Sequence, residues 1–262
     1  MTLQAASSGF WNAITRRAAA SSVASIGTAM DAPCVLASLG ARNPGTGQHH
    51  RSNHYPAYPV GVEEIGLFPL GIVLLPTERV PLHVFEPRYR ELIHECLEHE
   101  REFGLLFEDE DGVRDLGTRA HVVEVLERFE DGRLSVLVEG LDRFRVEQLT
   151  QGRSFLTALV EPVADEPDEI DPATALKVAG TFRALAALAD AETDEIDESS
   201  TQLSFELAAQ VELDPASKQE LLELPSEQSR LELVAELLDV ARVALIATRE
   251  LGDRAKKNGS RL

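Results

Sequence analysis

Residues 81–93 read PLHVFEPRYRELI. One histidine, two glutamates, two arginines and a tyrosine fall within these thirteen positions. A histidine in such company is a candidate general base, which needs a partner within hydrogen-bond reach. His83 stands between Leu82 and Val84 and alternates out of their plane, and no partner for a base is identifiable. A hydrogen-bonded strand histidine is the expectation. A few residues on, His94, Glu95, Cys96 and His99 look like metal-ligand material. On a helix His94 and His99 are five apart and diverge, while Cys96 falls in the apolar stripe. Glu95 and His99 form an i, i+4 surface pair instead. His49, His50 and His54 lie in an N-terminal stretch read as a disordered tail and suggest only weak, adventitious metal binding.

The elements that must position these groups can be read from spacing. IGLFPL, GIVLLP, RVPLHVF and FGLLF are short apolar runs cut by Gly and Pro, and they read as strands. RAHVVEVLERF and RLSVLVEGL flank Glu130-Asp131-Gly132, a hairpin signal because Gly accepts positive φ. In RFRVEQL, Phe144, Val146 and Gln148 share one face and Arg143, Arg145 and Glu147 the other, as in a half-buried strand. FLTALVEPV completes the set. One helix is expected among these strands. Pro87 takes its first position, and Tyr89, Leu92, Ile93, Cys96 and Leu97 form one stripe. Glu86 stands at the positive end of its dipole, and Arg88 or Arg90 is expected to pair with Glu86 or a neighbouring strand. The opening stretch is therefore a strand, a corner and a helix.

The chain has 262 residues and a net charge of −20. Residues 1–62 carry four arginines against one acid, so the remainder holds 21 basic and 44 acidic residues, a balance of −23. Such a surface repels phosphate backbones and argues against nucleic acid as a partner. No uncharged run approaches the ~20 apolar residues of a membrane span. Cys34 and Cys96 make no disulfide framework or zinc spacing, which suits a reducing, cytoplasmic compartment. Thr15-Arg16-Arg17 before the uncharged Ala18–Met30 has the outline of an export or organellar leader but lacks its leucines. Residues 1–62 are read as a disordered tail or an over-extended start.

Five parts are expected: that tail, a β-rich unit at 63–163, an acidic, self-repelling linker at 164–171, a helical bundle at 172–251, and a basic flexible tail at 252–262. Asp171-Pro172 starts the first bundle helix, Ser199 and Ser200 are N-cap candidates for the next, Asp214-Pro215 caps a short one, and Pro225-Ser226 opens the last. The last helix has two apolar ladders, Leu231–Val234–Leu238–Ala241–Leu245 and Leu233–Leu237–Val240–Ala244. A central bundle helix is the expectation, with a docking patch in VARVALIA as the alternative.

These residues, in this order, resemble the N-terminal, substrate-binding domain of Lon proteases. The resemblance rests on LFPLGIVLLPTERVPLHVFEPRYRELI, FGLL, DLGTRAHVVEVLERFEDGRLSVLVEGLDRFRV and LSFELAAQVELDPASKQELLELPSEQSRLELVAELL. It implies an α+β fold, a PUA-like bent β-structure followed by a helical bundle. It implies recognition of unfolded or tagged polypeptides, an AAA+ ATPase or protease as a second partner, and no cofactor. An adaptor role, with the last helix docked onto such a ring, is the alternative. The signature residues it marks as structural or peptide-contacting are Phe68, Pro69, Leu70, Pro81, Leu82, His83, Phe85, Glu86, Arg88, Tyr89, Gly117, Glu139, Gly140, Arg143 and Phe144. The family's enzymatic parts have no counterpart here. None of the four lysines follows a GxxxxG loop, and Ser217-Lys218 are helix neighbours pointing about 100° apart, so they form no Ser–Lys dyad.

Overall fold

The β-part is organised by one long strand, β6 (Leu134–Thr150). The sequence reads as two strands there, but Gly140 does not break the run, because it sits where another backbone must approach. A Cβ at Gly140 would lie 2.2 Å from the Leu75 carbonyl oxygen. The structure, a computed structural model, describes residues 62–193 and 195–259. The readings of 1–61 and 260–262 lie outside the described residues.

One edge of β6 pairs first with β2 (Arg79–Val84) and then with β7 (Thr157–Pro162), both antiparallel. Its other edge pairs with β5 (Leu116–Arg128). β5 continues to β3 (Phe103–Asp109), β3 runs parallel to β1 (Glu63–Leu70), and β1 returns to β7. These pairings close a five-strand ring of β1, β7, β6, β5 and β3. β2, the first half of β6 and the second half of β5 extend from it as a three-stranded arm. The two-residue β4 (Gly112–Val113) forms a short hairpin with β3.

Phe144 and Gly104 show how tightly the ring is filled. Phe144 is fully buried with Ile65, Leu67, Leu106, Ala158 and Val160, and a Cβ at Gly104 would meet its ring at 2.5 Å. Helix α1 (Pro87–His99) covers the inner face of the arm. Its stripe of Tyr89, Leu92, Ile93 and Cys96 is buried as periodicity predicts. The Tyr89 ring stacks on Phe68 at 4.1 Å. Burial pushes the Cys96 thiol up to about 11, so it behaves as a core side chain.

GIVLLP is not a strand. Its side chains alternate as one would, with Leu74 in the arm's core and Val73 and Leu75 in the helical core. Its backbone groups go elsewhere than a ladder. Leu75 N–H donates to the Glu78 carboxylate (3.0 Å), Thr77 N–H to Gly140 O (2.9 Å), and Thr118 Oγ1 to Leu74 O (2.5 Å). Thr77 is held at φ 67°, an uncommon region for a β-branched residue. Gly140→Ala should lower stability by about 1–3 kcal/mol, since the atom in its way is backbone and cannot swing aside. Urea unfolding that finds Gly140→Ala as stable as the parent would show that the loop is not held there.

The helical part comprises α2 (Pro172–Ala189), α3 (Leu203–Ala209), α4 (Pro215–Glu223) and α5 (Glu227–Gly259). Asp171 and Asp214 cap as expected, accepting from Ala173 N–H and Ser217 N–H. Ser199 and Ser200 do not cap α3; Gln202 precedes it, and Ser200 Oγ accepts from Gln202 N–H. Phe182, Leu185, Leu203, Leu207, Leu222, Leu231, Val234 and Leu238 form a core that also takes Val73, Leu75, Phe107 and Leu116 from the β-part. The acidic segment before α2, expected to repel itself, is pinned instead. Asp165 meets Arg143 and Arg230, Glu166 N–H donates to Pro225 O, and Asp168 accepts from Gln228 N–H. α5 runs past Leu251, where the sequence placed its end. Its first ladder is buried, but its second opens to solvent from Val240 onward.

Candidate functional site

On the arm, strand alternation divides β2 cleanly. Leu82 and Val84 point into the core, while Arg79, Pro81 and His83 point out. Register then builds the outer face in rows: His83–Ser135–Glu127, Pro81–Leu137–Glu124 and Arg79–Glu139–His121. Among the described residues β2 pairs only with β6, so its far edge is open.

At one end of this face stands an aromatic cluster. Phe85, just beyond β2, is 59% exposed. The His83 ring stacks with Phe85 at 6.4 Å and meets Phe129 edge-on at 5.3 Å. The Arg133 guanidinium lies 5.0 Å over Phe129, fixed by Asp131 at 2.7 Å. The hairpin tip carrying Phe129 is tied to α1, since Arg90 donates to Asp131 O at 2.8 Å. That contact and the hydrogen bonds of Asp131 to Arg133 account for much of the charge in this region. The Arg133 N–H and guanidinium hold the Asp131 carboxyl below the usual carboxylate range.

Two β-bulges shape the opposite side. The β5–β6 register shifts between Val122 and Glu124 and again between Val125 and Glu127. The extra residues, Val123 and Leu126, are exposed apolar side chains. The outer face is therefore an open sheet surface bearing Pro81, Phe85, Phe129, Leu137, Val123 and Leu126, edged by Glu124 and Glu127. Such a surface can hold an extended apolar chain through side-chain contacts and a free strand edge.

His83 Nδ1 and Ser135 Oγ share a hydrogen bond of 3.1 Å, as expected for a strand histidine. Its ring neighbours are Phe85 and Phe129. Ser217 Oγ donates to Asp214, its own helix cap, and Lys218 Nζ is paired with Glu78 at 2.5 Å across the interface between the two parts. Both are occupied by structural work. Among the described residues no group of three or more His, Cys, Asp or Glu is arranged to hold a metal, and no helix is long and apolar enough to cross a membrane.

The fifteen signature residues scatter over three environments. Phe68, Pro69, Leu82, Tyr89 and Phe144 are buried, with Leu70 half-buried beside them. Gly117 and Gly140 are sites of close backbone approach; a Cβ at Gly117 would lie 2.3 Å from Leu105 O. Pro81, His83, Phe85 and Arg88 are exposed, with Glu86 and Glu139 at the margin, the latter paired with Arg79 at 3.0 Å. Arg143 is the exception to its expected place. It is buried beneath the helical part rather than on an outward strand face, because a second layer covers that side of β6. It donates to Leu222 O (2.7 Å), Leu224 O (2.8 Å) and Asp165 (2.5 Å). Gln148 likewise leaves the Phe144 face, shifted by a bulge after Val146. Phe129, Leu137, Val123 and Leu126 were not singled out by sequence. The hairpin signal marked the neighbourhood of Phe129, but bulges carry no readable spacing.

Glu86 makes no side-chain cap on α1; it accepts from Arg88 Nε at 2.9 Å while sitting at the helix N-terminus. Glu86→Ala should cost about 0.3–1 kcal/mol, mainly through the helix dipole. A thermal melt unchanged by the substitution would remove Glu86 from the elements that hold the corner.

A closed sheet ring and a helical part that share one buried cluster, with an open, aromatic-bearing arm, define an α+β protein. Residues 64–240 match the family model of the ATP-dependent protease La (LON) substrate-binding domain, and the chain belongs to this family. The Lon protease of Anaeromyxobacter dehalogenans is 31% identical over 201 residues, covering 70% of this chain and 24% of that protein. The Escherichia coli K12 Lon protease is 28% identical over 212 residues, 74% of this chain and 27% of that protein. The chain thus spans about a quarter of the length of these relatives, and the similarity is to their substrate-binding domain. Among solved structures, a Lon N-terminal domain protein from Xanthomonas campestris superposes with a TM-score of 0.52 at 27% identity, covering 65% of this chain and 95% of that one. The N-terminal domain of the Mycobacterium avium complex Lon protease gives 0.52 at 18% identity, with 68% and 98% covered, and speaks for the fold alone.

Proposed function

We propose that this chain is a non-catalytic binder of unfolded or tagged polypeptides, serving proteolysis or protein quality control, and that it binds them on the outer face of the arm. The observation that carries this reading is Phe85, an aromatic side chain 59% exposed beside His83 and Phe129 on a sheet face with an open edge. An exposed aromatic of this size is a typical anchor for a partner's apolar groups. Main-chain pairing along β2 supplies sequence tolerance, although Pro81 removes one donor and so limits the added strand. The acidic surface favours basic clients and opposes nucleic acid. We read the ring at 63–163 as PUA-like and 172–251 as a helical bundle that braces it, with no cofactor required.

Binding of fluorescently labelled, reduced and carboxamidomethylated lysozyme, a basic unfolded protein, tests the reading by anisotropy. Replacing Phe85 and Phe129 together by serine should weaken binding by ~10-fold or more, the loss expected when anchor residues are removed. Their melting temperature should stay near that of the parent, because Phe85 is largely outside the core. Undiminished binding of this probe by the double variant would place the site elsewhere.

A further inference from the structure

We propose that the outer face of α5 pairs antiparallel with α5 of a second copy of this chain, crossing between Ala244 and Ala247. α5 is a 33-residue helix with its first ladder committed to the core through Leu231, Val234, Leu238 and Leu245. Its second ladder has no such cover. Leu233 and Leu237 are half-buried, Val240 and Val243 are 68% and 62% exposed, and Ala244 and Ala247 are exposed. Leu233, Leu237, Val240, Ala244 and Ala247 follow each other at spacings of four, three, four and three. That is the rhythm of a coiled-coil seam, and two alanines at its centre let a second backbone approach closely.

The charge pattern selects both occupant and direction. Residues 232–241 carry three acids (Glu232, Glu236, Asp239) and no base. Residues 249–259 carry four bases (Arg249, Arg254, Lys256, Lys257) and two acids. A crossing between Ala244 and Ala247 lays the acidic stretch of one helix along the basic stretch of the other, twice over. A parallel pair would set acid against acid and base against base. Asp239 already pairs with Arg242 at 2.9 Å, an exposed contact that does not alter the balance of the stretch. A helix seeking an unrelated partner has no reason to carry its own complement at its far end.

Sedimentation of the full chain at micromolar concentrations should show a dimer that weakens as salt rises. Val240→Glu with Val243→Glu should lower association ~10-fold or more, leaving helical content unchanged, because both side chains are outside the core. Direction is read by oxidation in a Cys34→Ser background. Ala244→Cys mixed with Ala247→Cys should crosslink, whereas Val240→Cys alone should not. Antiparallel copies hold their residues 240 about 16 Å apart along the axis, beyond the ~7 Å limit for a disulfide. A chain that stays monomeric would overturn the proposal, including one that is monomeric but binds an ATPase ring. So would a dimer indifferent to the double glutamate change, or ready crosslinking by Val240→Cys alone, the mark of a parallel pair.

Discussion

Arg230→Met should lower the unfolding free energy by about 3–5 kcal/mol, the usual cost of removing one partner from a buried ion pair. Arg230 has no exposed surface. Its guanidinium is shared between Glu227, itself nearly buried, and Asp165 in the segment before α2, and it lies 4.5 Å over the Phe205 ring. Glu227 also accepts from Ser204 N–H (2.7 Å) and Ser204 Oγ (2.6 Å), so one carboxylate joins α3 to α5. Methionine fills most of the arginine's volume, so the loss reports the orphaned carboxylates and not a cavity. The deficit should depend on pH. Burial, opposed by the Ser204 bonds and Arg230, pushes the Glu227 carboxyl above its ordinary value. A raised carboxyl contributes stability that is fully present below its unfolded value of ~4.3 and is lost as pH rises through the folded value. Without Arg230 that value rises further, so the deficit should be larger at neutral pH than in mild acid. Urea titrations of both proteins at two pH values measure it, and titrations of carboxylates that do not touch Arg230 cancel in the difference. A deficit under 1 kcal/mol at neutral pH, or one that grows in acid, would contradict this account.

The sequence carried the elements well and the layers poorly. The Asp131-Gly132 turn and the stripe of α1 are local signals, and each appears where spacing put it. GIVLLP failed because alternation reports which way side chains point, not where N–H and C=O groups go. Its groups are satisfied by Glu78 and by Thr118, the latter far along the chain, and the next N–H, that of Thr77, by Gly140 O. Arg143 failed for a related reason. Period-two patterning separates the two faces of a strand but cannot tell water from a second layer whose contacts are polar. The acidic segment looked self-repelling because its partners Arg143 and Arg230 come from other elements, which spacing along the chain does not bring together. On the arm, His83 was legible as an outward residue of its strand, whereas Val123 and Leu126 depend on bulges, which leave no period to count.

Arg143→Ala should cost a similar amount, about 3–5 kcal/mol, although its partners are mostly backbone. Arg143 stands on β6 at the point where the ring meets the helical part, and it answers the Leu222 and Leu224 carbonyls at the end of α4. Those carbonyls have no successor turn to satisfy them, because Pro225 follows. Burial weakens the guanidinium's hold on its proton, an effect that Asp165 opposes. Asp165 is also the shared neighbour of Arg230, so the two arginines form one network. Removing either leaves Asp165 with the other; removing both leaves it with neither but no longer forces the two guanidinium groups together. The double variant Arg143→Ala/Arg230→Met should therefore depart from the sum of the single losses by at least ~0.5 kcal/mol, as groups in one network do. Urea unfolding of the four proteins closes this cycle. Simple additivity would mean that Asp165 does not couple them, and that each arginine acts on its own.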